Sequence, residues 1–458
     1  MHALPTTLVA LILLASSTPH AAPLAPLHQV LRCLAPNSTQ RAYIAANRLD
    51  VWRDDQAVTD VRVEGIAQKK ALLATGVRCH AFLDNVNELL AVETDRGGGA
   101  GLRQTDGEKQ RKNDDAFFDT YRSGEEIAAQ IQKWARKYPM RFTDLGSIGT
   151  TYEGRAIPAY KISSSSTDSR SSSSNSTQRQ SVWINAGLHA REWISTATAL
   201  FITHTLLTDA ALSTPLLAHT DVYVTPLANP DGYAYTRNTT IKADNRMWRK
   251  NRQPNPTHPN CPGTDLNRNW DEHWARVGAS TSDPCDETYA GTHAFSTAET
   301  RALAQFAQSL PYPRGAGVDL HAYGQYILRP WGWTLAQQPA RNAVYHARLA
   351  EGIRGAILDA GGVAYTAESG AQLYPASGAA DDWINARLGM VGLTIELRDT
   401  GAYGFLLPAR LIRVTGKEVV AGFTFLCRFL YEEGPPPEKL SQVVLHERQR
   451  LHRSAATL

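Results

Sequence analysis

The sequence lacks three features that mark whole classes of protein. Its 47 basic and 44 acidic residues leave a formal charge of only +3, which does not favour nucleic acid or an anionic membrane as a partner. After the N-terminus no apolar run reaches the roughly 18 residues that a membrane-spanning helix needs, so we expect no transmembrane segment. Five cysteines in 458 residues are too few for a miniature fold built on disulfides. The length instead predicts two folded units with extensions.

The N-terminus has the pattern of a secretory signal. A short apolar run over residues 8–15 is followed by serines and by the small pair Ala21 and Ala22. We therefore predict a signal peptide over residues 1–22 and a secreted, extracellular protein. Glycosylation is compatible with that location. Acceptor triplets begin at Asn37, Asn175 and Asn238.

The cysteines suit an oxidising compartment. Cys261 and Cys285 lie 24 residues apart in a polar loop, where a crosslink would add roughly 3 kcal/mol of stability by restricting the unfolded chain. Cys33 and Cys79 are candidates to pair within an N-terminal unit. Cys427 is then left over, and we expect it to be buried in an apolar helix.

Changes in composition divide the chain. An α+β unit over residues 23–94 is followed by a glycine-rich, basic segment over 95–115, which we predict to be a flexible linker open to proteolytic activation. A large domain over 116–433 carries a serine-rich insertion at 163–180, predicted to be a disordered surface loop. A proline-rich, basic tail over 434–458 is an appendage.

Strand and helix patterns alternate through the large domain. This order predicts an α/β fold with a mixed, mostly parallel central sheet flanked by helices. The strand candidates are Val182 to Gly187, Val222 to Leu227, Gly317 to Leu320 and Val391 to Leu397. The helix candidates are Glu125 to Tyr138, Ile194 to Leu207 and Val344 to Leu358.

Three strand candidates end in groups that bind metals or transfer protons. His189 and Glu192 follow the first strand, His321 ends another, and Glu396 lies in the last. Ligands bind beyond the carboxyl ends of the strands in open α/β sheets. Two imidazoles and a carboxylate are the ligand set of an open zinc site, and a second carboxylate nearby can take a proton from water. Each residue alone has a structural alternative: a strand-end histidine is often only hydrogen-bonded, and Glu396 is also placed to pair with Arg398.

Eight short motifs occur in a fixed order. Together they resemble the zinc carboxypeptidases of the pancreatic A/B type over roughly Phe117 to Tyr431, and the unit before them looks like the propeptide of that family. The motifs are YEGR at Tyr152, HAREW at His189, NPDGY at Asn229, NRMWRKNR at Asn245, DLNRNW at Asp265, DLHAYGQ at Asp319, LYPASGAADDW at Leu373 and IELRDTGAYGFLLPA at Ile395.

The resemblance implies one zinc ion per chain, held by His189, Glu192 and His321. Asp265 matches the carboxylate that orients the first zinc histidine. Glu396 matches the general base that activates the zinc-bound water and later delivers a proton to the leaving amine.

The resemblance also implies how a substrate is held. Arg249 matches the residue that polarises the scissile carbonyl and stabilises the oxyanion. Asn267, Arg268 and Tyr374 match the groups that grip the free terminal carboxylate, which is the physical reason for exopeptidase action. Contacts to upstream substrate residues are expected from Arg191, Arg246 and Tyr323.

Asp381 matches the aspartate on the floor of the B-type specificity pocket. A buried carboxylate needs a cationic partner, so we predict release of C-terminal Lys or Arg. Three departures from the B-type pattern leave an A-type preference for aromatic or aliphatic residues open. They are Gly332, Arg329 and Ser369.

The resemblance implies latency as well. In that family the propeptide covers the cleft and acts as an inhibitor until a trypsin-like protease cuts the linker, for which Arg103, Arg111 and Lys112 are the candidate positions. We expect a monomer whose substrates are peptide or protein C-termini. Two rivals stand beside this prediction: a non-catalytic binding relative, and a zinc hydrolase for another amide such as an N-acyl amino acid or a peptidoglycan stem.

Overall fold

A computed structural model describes most of the chain. The predicted signal peptide, nearly all of the linker, most of the serine-rich insertion and nearly all of the C-terminal tail lie outside the described residues, so their boundaries stay predictions. Asn175 and the three candidate cut positions lie outside them too. The structure describes residues 28–55, 57–90, 115–164, 179–238, 243–336 and 340–434.

The N-terminal unit is a four-stranded antiparallel sheet with two helices on it, which agrees with the predicted α+β unit. Its strands are β1 His28–Leu34, β2 Asp50–Asp54, β3 Val58–Glu64 and β4 Cys79–Leu83. Its helices are α1 Ser38–Ala46 and α2 Gly65–Leu73, and residues 86–90 are also helical. The strand order is β2-β3-β1-β4. A capping box begins α1, because the Asn37 side chain accepts from the Gln40 backbone N–H and the Gln40 side chain accepts in return.

The large domain is built on an eight-stranded mixed sheet. Its strands are β5 Phe142–Thr150, β6 Ala156–Ile162, β7 Gln180–Ala186, β8 Thr220–Thr225, β9 Arg314–Ala322, β10 Tyr326–Arg329, β11 Thr366–Ser369 and β12 Val391–Leu397. They follow the order β11-β10-β12-β9-β7-β8-β6-β5. The four central strands, β12, β9, β7 and β8, are parallel, which confirms the predicted sheet.

Helices cover both faces of this sheet. The α-helices are α3 Gly124–Lys137, α4 Trp193–Thr208, α5 Ala210–Leu217, α6 Pro230–Arg237, α7 Ala298–Ser309, α8 Ala340–Asp359, α9 Gly370–Leu373, α10 Ala380–Leu388 and α11 Ile412–Glu433. Short 3-10 helices span Ala116–Asp119, Ala243–Met247, Leu266–Arg268, Gly404–Leu406 and Ala409–Leu411. Along β7, Val182 and Ile184 join the core under α4 and α11, whereas Trp183 joins the core under α7 and α10. This alternation follows the two-residue period of a strand.

Helix α4 is apolar around nearly its whole circumference. Every residue of it except Thr205 and Thr208 is buried, as expected for a helix packed between a sheet and another helix. Among the described residues no single helix is long and apolar enough to cross a membrane, while α4 and α5, bent by 94° to each other, meet that test only as a pair.

The disulfide predictions are confirmed. Cys33 and Cys79 are bonded and lie opposite each other on β1 and β4. Cys261 and Cys285 are bonded within the long loop between α6 and α7. Cys427 is a free thiol buried in α11.

Candidate active site

Three separate segments converge at the carboxyl ends of β7, β9 and β12. After β7 the chain turns at Gly187, which has a φ of +73° and no room for a Cβ beside Thr196. This turn leads to His189, and Glu192 then occupies the position just before α4. His321 near the end of β9 lies opposite Glu396 on β12 in the parallel register. The sheet therefore brings together residues that are more than 100 positions apart.

The three predicted metal ligands meet at one point. The His189 Nδ1 atom lies 2.8 Å from Glu192 Oε1, and the His321 Nδ1 atom lies 3.0 Å from Glu192 Oε2. The two Nδ1 atoms are 3.0 Å apart. All three side chains are buried, and their ligand atoms lie within 4.8 Å of one another. One cation can reach all of them.

The hydrogen bonds behind the two rings test whether a metal fits. The His189 Nε2 atom lies 3.0 Å from Asp265, and the His321 Nε2 atom lies 2.9 Å from Asp319. An ionised carboxylate only accepts, so each Nε2 donates its proton to the carboxylate behind it, and each Nδ1 is the ring atom left to bind a metal. Burial opposes a charged imidazole, yet Asp319 and Glu192 hold the pKa of His321 well above its ordinary value. The pocket favours a positive charge between the rings, as a divalent zinc ion would provide.

A cleft of about 640 Å³ opens in front of these ligands. This volume is in the range of sites that bind small molecules and peptide ends. Residues from both folded units line it, so the N-terminal unit forms part of its wall. The lining includes His189, Glu192, Arg191, Arg249, Asn267, Arg268, Tyr323, Tyr374 and Glu396 from the large domain, and Asp50 and Trp52 from the N-terminal unit.

Asp265 orients two of the predicted functional groups at once. Its Oδ1 atom accepts from His189 and from the Asn267 backbone N–H at 2.9 Å. Its Oδ2 atom accepts from Arg249 Nε at 3.1 Å and Nη2 at 2.8 Å. Burial opposes ionisation, but Arg249 and His189 hold the pKa of Asp265 well below its ordinary value. The guanidinium is thereby fixed beside the ligands, with Nη1 3.9 Å from Glu192.

Glu396 lies on the cleft wall beside the metal ligands. Burial raises the pKa of Glu396 to about 8; the charge of His321 opposes this rise and that of Glu192 adds to it. A carboxyl with a pKa near neutrality exchanges protons readily, which suits a general acid or base. In the metal-free protein it retains a proton near neutral pH.

The predicted carboxylate-binding residues are held rigidly at the cleft. Arg268 donates from Nε to Gly278 O at 2.9 Å and from Nη1 to Asn267 O at 2.8 Å. Among the described residues nothing accepts from its Nη2. The Arg268 guanidinium carbon lies 5.8 Å from the centre of the Tyr374 ring, which is 36% exposed. The Asn267 Oδ1 atom accepts from the Ala380 backbone N–H at 2.9 Å. Among the described residues, the Arg268 Nη2 group is therefore available to hold an anionic group.

The N-terminal unit occupies two of the predicted upstream substrate contacts. Arg191 donates from Nη1 to Asp50 on β2, at 3.2 Å. The Tyr323 hydroxyl donates to Asp60 on β3, at 3.1 Å. Both side chains are buried. A substrate that uses them would have to displace the N-terminal unit.

Arg246 is held by two backbone carbonyls and an aromatic ring. It donates to the backbone carbonyls of Arg191 at 2.8 Å and Phe405 at 2.9 Å. Its guanidinium carbon lies 3.7 Å from the centre of the Trp193 ring. Arg246 is not among the described residues that line the cleft. Its role as a substrate contact stays a prediction.

Asp381 lies in the first turn of α10 and is 5% exposed. Burial raises the pKa of Asp381 to about 6, a hydrogen bond with Thr394 opposes the rise, and the charge of Asp319 adds to it. In the part of the chain that the structure describes, no Lys or Arg forms an ion pair with Asp381, and this includes Arg329. Asp381 is not among the described residues that line the cleft.

Comparison with known proteins decides the family. A sequence model described as zinc carboxypeptidase matches residues 127–422. The chain belongs to the zinc carboxypeptidase family. It is therefore a metalloprotease of a zinc-dependent family, a hydrolase that acts as an exopeptidase on the C-terminal peptide bond. The predicted family and fold are confirmed.

Similar carboxypeptidases differ in specificity and in activity. The chain is 35% identical over 322 residues to Carboxypeptidase B from Astacus astacus, covering 68% of this chain and 97% of that protein. It is 32% identical over 426 residues to the Inactive metallocarboxypeptidase ecm14 from Talaromyces marneffei, covering 84% and 68%. The crystal structure of Carboxypeptidase A from Helicoverpa armigera aligns with a TM-score of 0.74 at 26% identity, covering 89% of this chain and 98% of that one. Family membership alone leaves the preferred C-terminal residue open.

Sequence reasoning missed one residue of this carboxypeptidase site. Asp319, behind His321, was not among the predicted site residues, although it begins the motif that ends in the histidine. A signal was present, because residues two apart on a strand point to the same face. Asp319 and His321 are so related on β9.

Proposed function

We propose that this chain is the secreted proenzyme of a carboxypeptidase that releases C-terminal Lys or Arg. The observation that carries the specificity is Asp381, a buried carboxylate without a Lys or Arg partner among the described residues. An unpaired buried charge is unfavourable, and the side chain of a basic substrate residue would compensate it. The two disulfides and the predicted signal peptide support secretion.

We infer that His189, Glu192 and His321 hold one zinc ion per chain. Bound there, zinc would supply a Lewis acid at the floor of the cleft. The Glu396 carboxylate takes a proton from the attacking water and returns it to the leaving amine nitrogen. Arg249 is fixed by Asp265 through Nε and Nη2, and its Nη1, 3.9 Å from Glu192, would stabilise the developing oxyanion.

Recognition of a free C-terminus rests on Arg268 with Asn267 and Tyr374. The Nη2 of Arg268, from which no described residue accepts, and the hydroxyl of the partly exposed Tyr374 present donors to a planar carboxylate. A peptide that continues beyond this point has an amide in place of the carboxylate and loses the charged contact. This arrangement disfavours internal cleavage.

Matched blocked dipeptides ending in Arg and in Phe test the specificity. We expect trypsin-treated protein to have a kcat/KM roughly 10- to 100-fold higher for the Arg-ended substrate, since one ionic contact in a buried pocket contributes about 1.4 to 3 kcal/mol. Asp381→Asn should remove that preference while hydrolysis of the Phe-ended substrate persists. A clear preference of the unaltered enzyme for Phe would support the A-type alternative, which Gly332 and Ser369 leave open.

Latency is the second part of the proposal. We assign residues 1–22 to a signal peptide, 23–94 to an inhibitory propeptide and 116–433 to the catalytic domain. The contacts of Asp50 and Asp60 with predicted substrate-binding residues support inhibition by the N-terminal unit.

Activity before and after limited trypsin treatment tests this latency. We expect little hydrolysis of a peptide substrate by the uncut chain and full hydrolysis after a cut in the linker. Asp50→Asn combined with Asp60→Asn should raise the activity of the uncut chain. Both substitutions weaken contacts that hold the N-terminal unit over the cleft. Equal activity of uncut and cut protein would refute the proposal.

The relative described as inactive supports one rival, a binding protein without catalysis. Against it stand the three converging ligand side chains and Glu396 beside them. Removal of metal by a chelator should abolish peptide hydrolysis, and zinc should restore it. A binding protein would form no product with or without zinc.

A further inference from the structure

We propose that Asp319 is a positioning residue for the metal ligand His321. Asp319 lies on β9, of which all nine residues are buried. Its Oδ2 atom accepts from His321 Nε2 at 2.9 Å, and its Oδ1 atom accepts from Asn185 Nδ2 at 2.9 Å. Each imidazole of the site thus has a carboxylate of its own. The inference rests on the proposed zinc site.

Asp319 ends a chain of hydrogen bonds that crosses three parallel strands. The Trp183 Nε1–H donates to the Thr225 hydroxyl at 3.1 Å, and that hydroxyl donates to Asn185 Oδ1 at 2.7 Å. Asn185 in turn donates to Asp319. All four side chains in this series of hydrogen bonds are fully buried. The donors run in one direction and finish on the carboxylate, whose second oxygen is left to accept from His321.

This direction fixes the ring of His321. An ionised carboxylate only accepts, so the proton between Asp319 and His321 lies on Nε2. The Nδ1 atom is then the ring nitrogen that can offer a lone pair to a metal. The strand register reinforces the geometry, because Asn185 and Asp319 lie opposite each other on β7 and β9. The orientation of the ring is therefore set by the protein itself.

The carboxylates behind the two histidines differ in the positive charges that they contact. Asp265 also pairs with Arg249, whereas no Lys or Arg within the described ranges pairs with Asp319. Among the described residues, its polar side-chain partners are the neutral amide of Asn185 and the His321 ring. The charge of Asp319 therefore acts through His321. Its removal should weaken metal binding without disturbing Arg249.

Competition between the full-length chain and a zinc chelator tests the proposal. We expect Asp319→Asn to weaken zinc binding roughly 10- to 100-fold, the usual effect of losing a partner behind a ligand. An asparagine has one acceptor oxygen and faces two donors, so it cannot satisfy Asn185 and His321 together. Asp221→Asn on β8, which breaks a pairing with Lys161 and Arg179, is the matched control and should bind zinc normally.

A swapped pair separates positioning from general damage. In the double variant Asn185→Asp with Asp319→Asn, the amide at 319 accepts from His321 and donates to the carboxylate at 185. We expect this swap to recover most of the zinc affinity that the single variant loses. Unchanged zinc affinity in Asp319→Asn, or a folded swap that binds as weakly as the single variant, would overturn the role of Asp319. Failure of the unaltered chain to bind zinc would overturn the proposed function itself.

Discussion

Replacing Asp381 by asparagine should stabilise the metal-free protein at pH 8 and leave its stability nearly unchanged at pH 4. Burial raises the pKa of this carboxyl from the ordinary 3.8 to about 6. An acid with a higher pKa in the folded state than in the unfolded state binds more protons when folded. Its contribution to the free energy of unfolding is full below pH 3.8 and is lost as the pH rises through about 6. Asparagine has no such proton to lose.

The magnitude follows from the two pKa values. Their difference corresponds to about 3 kcal/mol at 1.36 kcal/mol per pKa unit, which is an upper value because neighbouring carboxyls share the effect. For a chain of this length each kcal/mol moves the melting temperature by roughly 1 to 2 °C. The expected rise for Asp381→Asn at pH 8 is therefore up to about 5 °C.

Thermal unfolding between pH 4 and pH 8 in the presence of a chelator measures this difference. Thr394→Val supplies the opposite sign, because it removes the hydroxyl that stabilises the ionised Asp381. That variant should lose more stability at pH 8 than at pH 4, and the extra loss should vanish in the Asp381→Asn background. A melting temperature of Asp381→Asn that falls at pH 8, or that changes equally at both pH values, would refute the reasoning.

Three further outcomes are expected. Glu396→Gln should lower kcat by about 10²- to 10⁴-fold while bound zinc, measured by metal analysis, stays unchanged; a small loss of rate would remove it as the base. Arg268→Lys should raise KM for blocked dipeptides by about 10-fold or more with little change in kcat, because a bidentate fork is lost; steady-state kinetics check this. Serine at both Cys261 and Cys285 should destabilise the protein by about 3 kcal/mol, seen as an earlier thermal transition, and an unchanged transition would contradict the crosslink argument.

Local patterns in the sequence were sufficient for most of the secondary structure. Helix α3 spans Gly124–Lys137, one residue from the predicted bounds at either end, because Ser123 and Glu126 form a capping box at its start. Strand β12 spans Val391–Leu397, as its apolar run predicted. These features depend on neighbours within a few residues. They are therefore readable without the fold.

The order of the motifs was sufficient for the family and for the ligand residues. It did not predict which ring nitrogen of each histidine faces the metal site. That both rings turn Nδ1 inward and Nε2 toward a carboxylate depends on Asp265 and Asp319, which other segments supply. Likewise the motif matched Arg246 to a substrate contact, and only the fold shows that it donates hydrogen bonds to two backbone carbonyls.

The sequence by itself determined which residues carry the chemistry, because metal ligands and caps are recognised by type and short spacing. Only the tertiary structure decided what each of them faces. Asp50 reaches Arg191 and Asp60 reaches Tyr323 across 141 and 263 positions of chain. Such contacts arise from strand order, register and the docking of one folded unit on another. No local pattern encodes those distances, since each one is fixed by packing of the whole molecule.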